Sequence, residues 1–411
     1  MKRISALLLA AVLLLCCIGV SAAEPAKVTF SDQSSIHHPN AVQMLVDLGL
    51  ICGYGDDTFR PTRTITREET AKLITILCTE DPSEMHTDMV FMDVGNGWSE
   101  KFVNYCMARK IIVGDGKGHF RPKDPVTGRE LAKMLLVTLG EDETQYVGAG
   151  WDEHVDRDAY ERGLYNGLET LPSAPINRDN ACLVIYNALR SCPIVNKRAE
   201  GIWRYQLDAL MNPLSYIEVR FGVTRYTAEL MGNECADLET GAALEPGQTR
   251  LAGYTKLFDV STSPALLGRE VDIYMKDGKI VGVPCYTEDE IYYTFRKAEE
   301  MRSVLRVGNG MLTEDTKYYR NFRSAGSDIL ETVPDGARIT IVDHDGDWRF
   351  DCVFVTDCRE GVITAVSPLT AATGGQRVRC EKFDSNQIFI EGQQVACCEI
   401  SGVTYVRPID K

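Results

Sequence analysis

Four aspartates stand in a short segment where their spacing could bring oxygen ligands together. Asp343, Asp345, Asp347 and Asp351 occupy positions 1, 3, 5 and 9 of a loop predicted between two strands, with Gly346 at the bend. Converging carboxylate oxygens are hard ligands and favour calcium. The same spacing also suits an acidic β-turn that binds no metal, and the sequence leaves both interpretations open.

No other segment carries the pattern of a known catalytic site. The sequence lacks a Gly-x-Ser-x-Gly nucleophile elbow, a His-Glu-x-x-His zinc helix and a phosphate-binding P-loop. Paired catalytic carboxylates need not be adjacent in the chain, so the sequence alone leaves that kind of enzyme open. We expect a protein that requires no cofactor, with calcium as the one candidate ligand.

The composition is that of a folded protein with an acidic surface. The 411 residues are 44% hydrophobic and 25% charged, which disfavours wholesale disorder, and at about 150 residues per domain they make two to three domains. The net charge of −15 repels DNA, RNA and anionic lipid surfaces. We therefore expect no nucleic-acid partner, and any anionic partner must be held by local basic groups.

The first 23 residues have the features of a secretory signal. Lys2 and Arg3 precede an apolar run of about 15 residues, which is followed by the small residues Ser21, Ala22 and Ala23. This run is shorter than the roughly 20 residues that a membrane span needs. The sequence predicts a signal peptide at 1–23, export of the chain, and no transmembrane segment in the mature protein.

An internal repeat organises the following residues. Eleven residue types recur 61 positions apart without a gap, which defines two copies of one folding unit. The first member of each pair is Phe30, Asp32, Gly53, Gly55, Phe59, Arg60, Pro61, Thr66, Glu69, Ala71 or Lys72. A third copy is decayed: its apolar helix follows Asn177-Arg178, and its loop is three residues shorter.

Each copy reads as a helix, a tight loop and a second helix. In the first copy the apolar spacing predicts a helix over about 39–50, and glycines then interrupt it. Arg60 precedes a proline, which predicts an extended backbone there, as at Arg121. Thr66 with Glu69, and Thr127 with Glu130, form the capping-box pattern that begins a helix.

The loop and cap together resemble the S-layer homology (SLH) repeat. Residues 53–61 read Gly-Tyr-Gly-Asp-Asp-Thr-Phe-Arg-Pro and are followed by Ile-Thr-Arg-Glu-Glu at 65–69. The resemblance implies repeats at 28–87, 88–150 and 151–195, the third degenerate. It further implies an all-α bundle packed as a pseudo-threefold prism, whose grooves bind pyruvylated secondary cell wall polymer outside the cell.

That resemblance selects a set of candidate binding residues. Arginine directly after a helix cap adds its charge to the positive end of the helix dipole, which suits a carboxylate on a sugar. Arg67 and Arg178 occupy this place, whereas the second copy has Gly128 there and Arg129 one position later. The candidate polymer-binding residues are Arg67, Arg178, Arg129, Thr66, Glu69, Lys72 and Trp98. Thr66 and Glu69 also have an ordinary role as a helix cap, Lys72 also suits a solvated surface, and Trp98 also suits a core.

Residues 201–411 have a different sequence pattern, in which the alternation of apolar and polar residues is typical of strands and is interrupted by turns. Asp277-Gly278 predicts a hairpin between strands 271–276 and 279–283, and further strands are predicted at 337–342, 352–356 and 361–366. The expected fold is therefore multidomain α + β, with a β-rich C-terminal region of unknown role.

Twelve cysteines follow the predicted signal. Cys52, Cys78, Cys106 and Cys182 fall at positions expected for apolar core residues, which favours buried free thiols. Bridging among the five C-terminal cysteines is the alternative, at Cys352, Cys358, Cys380, Cys397 and Cys398.

These observations lead to one functional expectation and two alternatives. We expect a secreted, non-enzymatic protein of the cell wall or cell surface, anchored by its repeats to an anionic secondary cell wall polysaccharide, with self-association left open. The alternatives are a surface enzyme acting on glycans, with its catalytic groups in the β-rich region, and a structural lattice subunit.

Overall fold

The computed structural model describes residues 30–81, 91–95, 97–194, 205–286, 291–308 and 310–409. The predicted signal peptide at 1–23 lies outside the described residues. The described part is a mixed α and β structure with a helical first half and a β-rich second half. None of its helices combines the length and apolarity that a bilayer crossing requires.

Eight α-helices occur among the described residues. They are α1 Pro39–Asp47, α2 Arg67–Cys78, α3 Glu100–Ala108, α4 Gly128–Thr138, α5 Trp151–Glu161, α6 Arg178–Arg190, α7 Tyr216–Phe221 and α8 Ala298–Gly308. The first six supply two helices to each copy of the repeat, as the apolar spacing predicts. The first helix is three residues shorter than the predicted 39–50.

Fifteen strands follow within the described residues and form three sheets. They are β1 Thr224–Gly232, β2 Arg250–Leu251, β3 Glu270–Lys276, β4 Lys279–Tyr286, β5 Ile291–Phe295, β6 Met311–Arg320, β7 Arg323–Ala325, β8 Arg338–Asp343, β9 Arg349–Thr356, β10 Cys358–Val366, β11 Leu369–Thr373, β12 Gln376–Arg379, β13 Glu381–Lys382, β14 Gln394–Ile400 and β15 Val403–Pro408. Their orders are β2-β1-β3-β4, β5-β8-β9-β6-β7 and β12-β11-β10-β14-β15-β13. The predicted hairpin and the three further strands are confirmed as β3–β4, β8, β9 and β10.

The three copies meet in a closed ring of backbone hydrogen bonds. Ile65 N–H donates to the carbonyl of Ile176, Ile176 N–H to that of Val126, and Val126 N–H to that of Ile65, at 2.9–3.2 Å. Each of these residues lies just before the second helix of its copy, and all three side chains are buried. The ring joins each copy to both of the others at one point.

The N-terminus of each second helix is completed by the loop of another copy. The N–H groups of Arg67 and Glu68 donate to carbonyls of the second copy, at Asp124 and Pro122. The corresponding amides of α4 donate to residues 174 and 172 of the third copy, and those of α6 to residues 63 and 61 of the first. Helix-start amides have no partner inside their own helix, so these contacts satisfy groups that would otherwise be unpaired.

Both predicted capping boxes are present. The Thr66 side chain accepts from the Glu69 N–H, and the Glu69 side chain accepts from the Thr66 N–H; Thr127 and Glu130 repeat the arrangement. Asn177 caps α6 in the third copy by accepting from the Asn180 N–H.

The expected extended backbone before the loop prolines is wrong. Arg60 has φ of 58° and Arg121 has φ of 59°, in the left-handed region. The cause is non-local: the Asp32 carboxylate accepts the N–H groups of both Phe59 and Arg60 at 2.8 Å, and Asp93 does the same in the second copy. Two charge-assisted hydrogen bonds offset the unfavourable backbone conformation.

The cysteine expectation is partly confirmed. Cys106 and Cys182 are buried free thiols, and Cys78 is partly buried, but Cys52 is exposed. The prediction fails at Cys52 because this residue lies in the loop after α1, where no helix face directs it inward. In the C-terminal sheet Cys358 forms a disulfide with Cys398, and among the described residues Cys352, Cys380 and Cys397 take part in no disulfide.

Thr66→Ala removes the side-chain half of the first capping box. We expect the free energy of unfolding to fall by about 1 kcal/mol, because the amide of Glu69 loses its acceptor. Chemical denaturation of the purified chain measures this difference. Thr255→Ala, at an exposed loop residue, is the control and is expected to change stability by less than about 0.5 kcal/mol. Equal effects of the two substitutions would contradict the capping role.

Candidate functional site

The contacts between copies create three seams, one at the start of each second helix. The first seam brings Arg67 to the loop at 113–121, and the second brings Arg178 to the loop at 52–60. The third brings Gly128 to the loop at 166–174. The three seams differ in the cationic groups that they hold.

At the first seam Arg67 is held by three groups of the second copy. Its Nε donates to the Phe120 carbonyl at 2.8 Å, and its two terminal nitrogens donate to the Glu130 carboxylate at 2.9 Å and to the Val113 carbonyl at 3.1 Å. The guanidinium carbon also lies 4.7 Å from the centre of the Phe120 ring. With a side chain only 13% exposed, Arg67 is fixed in place rather than free in solvent.

A second cation, Lys133, lies at the same seam. Lys133 is 7% exposed, and its Nζ lies 5.8 Å from the centre of the Trp151 ring at the start of α5. Burial lowers the pKa of Lys133 from its ordinary value, and the charge of Arg67 lowers it further, while Glu130 acts in the opposite direction. Two cations therefore face one shared carboxylate in a poorly hydrated place.

These groups line a cleft of about 570 Å³. Its wall includes Arg67, Glu130, Lys133 and Trp151, together with Asp115 of the loop. Asp115 already accepts loop amides from residues 117 and 119 and lies 3.5 Å from a guanidinium nitrogen of Arg121. A carboxylate entering the cleft would meet the cationic pair and an indole face.

The second seam repeats this arrangement with more exposure. The Arg178 guanidinium donates to the Cys52 carbonyl at 2.5 Å and lies over the rings of Tyr54 and Phe59, at 5.2 and 4.7 Å. The Nε of Arg178 is buried without a hydrogen-bond partner. This seam therefore holds an arginine donor that no group of the described residues satisfies.

The second seam also has a lysine and a tryptophan, Lys72 of the first copy and Trp98 of the second. They correspond to Lys133 and Trp151 at the first seam. The Lys72 Nζ lies 6.0 Å from the Trp98 ring centre, and Trp98 is 51% exposed. Glu69 accepts a hydrogen bond from Arg63 at 2.8 Å, as Glu130 does from Arg67. Thr66 serves as the helix cap.

The third seam lacks an arginine of this kind. A side chain at Gly128 would approach the backbone of Pro172 to 3.3–3.4 Å, so the shortened third loop lies too close for one. Arg129 points elsewhere and pairs with α5, donating to Asp156 at 3.0 Å and to Asp152 at 3.4 Å.

The acidic loop between β8 and β9 brings three of its four aspartates together. Asp343, Asp345 and Asp347 each place one carboxylate oxygen within 4.8 Å of the others. Asp343 is fully buried, and its two oxygens accept the N–H groups of residues 346 and 348; burial raises its pKa. Asp351 instead accepts the N–H of His344 at 2.8 Å.

Sequence reasoning missed Lys133 and Trp151 as site residues. The signal was present, because Lys133 is the counterpart of Lys72 at the fixed offset of 61 and Trp151 begins a predicted repeat. The two lysines differ in burial, because Lys133 is buried and Lys72 is exposed. Burial depends on which copies are in contact, and the sequence pattern does not contain that information.

Comparison with known proteins agrees with this architecture. Residues 29–71 and 90–132 match the model of the S-layer homology domain. The chain is 30% identical over 118 residues to an S-layer protein of Bacillus licheniformis, which covers 28% of this chain and 13% of that protein. It is 28% identical over 176 residues to the middle cell wall protein of Brevibacillus brevis, covering 41% of this chain and 16% of the relative.

An enzyme also shares these residues. The chain is 27% identical over 180 residues to an exoglucanase of Acetivibrio thermocellus, covering 39% of this chain and 16% of that protein. The chain thus spans less than a fifth of the length of each of these curated relatives. It carries S-layer homology repeats and is a protein of the cell surface or cell wall, and its repeats support anchoring there in the broad sense.

Lys133→Met tests whether the charge of the buried lysine destabilises the folded protein. We expect the free energy of unfolding to rise on the order of 1 kcal/mol near neutral pH, because an apolar side chain replaces an incompletely compensated buried charge. The advantage shrinks as pH rises through the lowered pKa of Lys133, because the folded wild type then releases the proton that its unfolded chain still holds.

Lys72→Met is the matched control, because Lys72 is the exposed counterpart of Lys133. Its effect is expected within about 0.5 kcal/mol. Urea denaturation at two pH values measures both variants, and a clear loss of stability in Lys133→Met would contradict the interpretation.

Proposed function

We propose that this protein anchors itself to the cell wall by binding an anionic, carboxylate-bearing secondary polysaccharide in the first and second seams. Pyruvylated secondary cell wall polymer, which the SLH resemblance implies, is the proposed ligand. The anchoring units are the proposed repeats at 28–87, 88–150 and 151–195, arranged as a pseudo-threefold prism. The closed hydrogen-bonded ring of Ile65, Val126 and Ile176 supports that arrangement.

The observation that carries the proposal is the cationic pair in the first seam. Lys133 is buried beside Arg67 even though its charge is disfavoured there, and Trp151 offers an aromatic face next to it. An acidic sugar supplies what this site lacks: a carboxylate for the two cations and a ring for the indole. We infer a similar role for Arg178, Lys72 and Trp98 in the second seam.

The proposal assigns no polymer binding to the third seam. Gly128 provides no cation, and Arg129 is engaged by two aspartates of α5. We propose that the third copy closes the prism and supplies Trp151 and Arg178 to the other two seams. The β-rich region at 201–411 is proposed to be the cargo that the repeats hold at the wall, without catalytic activity of its own.

Co-sedimentation with purified cell walls tests the proposal. The chain without its predicted leader is expected to sediment with walls and to stay in solution with walls stripped of their secondary polymer. Arg67→Ala combined with Lys133→Met should weaken wall binding at least about tenfold, because charge-assisted hydrogen bonds contribute roughly 1.5–3 kcal/mol each. Arg178→Ala, added to Arg67→Ala, should weaken it further.

Lys276→Ala is the control for these variants. It removes one positive charge from the exposed end of β3, far along the chain from the seams, and it should leave wall binding unchanged. Retention of the Arg67→Ala/Lys133→Met variant at the wild-type level would overturn the site assignment. Equal sedimentation of the wild type with stripped walls would overturn the polysaccharide as the ligand.

A further inference from the structure

Three side chains that no sequence motif joins meet between two sheets of the β-rich region. Glu229 lies in β1, His344 in the β8–β9 turn and Cys352 in β9. Each places one ligand atom within 4.8 Å of the other two. Cys352 is fully buried, while the other two are partly buried, so the cluster has a closed side and an open side.

The orientation of His344 is fixed by a neighbour outside the cluster. Its Nε2 lies 2.8 Å from the carbonyl oxygen of Gly268. A carbonyl oxygen only accepts, so Nε2 carries a proton, and Nδ1 is the nitrogen that the neutral ring can offer to a metal ion. Histidines that bind metals are commonly held in this way, with the non-ligating N–H donated to a backbone carbonyl.

The other ring nitrogen of His344, Nδ1, faces a carboxylate. Nδ1 of His344 lies 3.5 Å from the Oδ2 of Asp351. The same Oδ2 accepts the backbone N–H of His344, which holds the carboxylate beside the ring. A lone pair opposite a carboxylate is unfavourable unless a cation, either a proton or a metal ion, stands between them. This cation can be a metal ion bound by both groups.

The two carboxylate oxygens of Glu229 also have different partners. Its Oε2 accepts a hydrogen bond from the Lys317 ammonium at 3.2 Å, while Oε1 lies 4.0 Å from the Cys352 sulfur. One oxygen is therefore held from outside, and the other is directed to the thiol. A divalent cation with Lys317 would balance a thiolate and the carboxylates of Glu229 and Asp351, three negative charges in all.

We propose that Glu229, His344 and Cys352 bind a zinc-class transition metal ion, with Asp351 as the adjacent fourth donor. Sulfur, imidazole nitrogen and carboxylate oxygen are the donor set that zinc prefers, whereas calcium takes oxygen ligands alone. On binding, the Cys352 S–H bond breaks, a metal–sulfur bond forms and the proton leaves to solvent, with no change of oxidation state.

This site is separate from the acidic loop that the sequence indicates for calcium. His344 stands between Asp343 and Asp345 in the chain, but its ring lies against Gly268 and Asp351 rather than toward those carboxylates. Because Glu229 belongs to the four-stranded sheet and Cys352 to the five-stranded sheet, the metal would join the two sheets. The inference does not depend on wall binding.

Cobalt titration of the chain without its predicted leader tests the site. The purified protein, stripped of metal and kept anaerobic without added thiol, should bind one Co²⁺ with a thiolate-to-cobalt charge-transfer band and tetrahedral visible bands. Zn²⁺ should displace the cobalt and raise the melting temperature. Cys352→Ser should abolish the charge-transfer band and weaken Co²⁺ binding at least about tenfold, since even changes around the ligands cost roughly 10–100-fold.

Cys380→Ser is the matched control, since Cys380 is also a buried cysteine but lies near the C-terminal sheet; its Co²⁺ spectrum should equal that of the wild type. Glu229→Gln covers the case in which Cys352→Ser does not fold: it should keep the charge-transfer band but weaken Co²⁺ affinity at least about tenfold. Absence of saturable Co²⁺ binding, Co²⁺ binding without a charge-transfer band, or full affinity in Glu229→Gln would overturn the site.

Discussion

The repeat half of the protein depends on one constraint: the first amides of each second helix have no partner within their own helix. Another copy supplies the acceptors, through carbonyls at residues 122 and 124 for α2 and at the equivalent places for α4 and α6. Because each copy gives acceptors to one neighbour and takes them from the other, three copies close a ring. The residue after each cap is thereby carried into the loop of the next copy, and the seams follow from this exchange.

The same exchange explains why Arg67 lies at a site rather than on a free surface. Its backbone N–H binds the carbonyl of Asp124, which brings the side chain to Phe120 and Glu130 of the second copy. Glu130 then has two tasks, capping the Thr127 N–H and binding Arg67. A carboxylate shared in this way cannot fully neutralise Lys133 as well. The two cations therefore lie together in a cleft whose lining also includes Asp115 and Asp124.

Much of the local structure could be predicted from the sequence, because its determinants are local. The capping boxes at Thr66 and Thr127, the hairpin at Asp277-Gly278 and the fixed offset of 61 are patterns within a few residues or between identical copies. Contacts between distant residues decided what was missed. The left-handed backbone of Arg60 depends on Asp32, the burial of Lys133 depends on how the second and third copies meet, and Glu229 approaches Cys352 across two sheets.

The decay of the third copy has a structural counterpart in the C-terminal region. The third loop is short enough to place Pro172 against Gly128, so no arginine fits at that seam. Next to it, a cleft of about 490 Å³ is lined jointly by Arg162 and Asn166 of the third copy and by Arg269 and Asp384 of the β-rich region. The third copy and the C-terminal region therefore share one cleft, and the surroundings of the third copy are shaped by another part of the same chain.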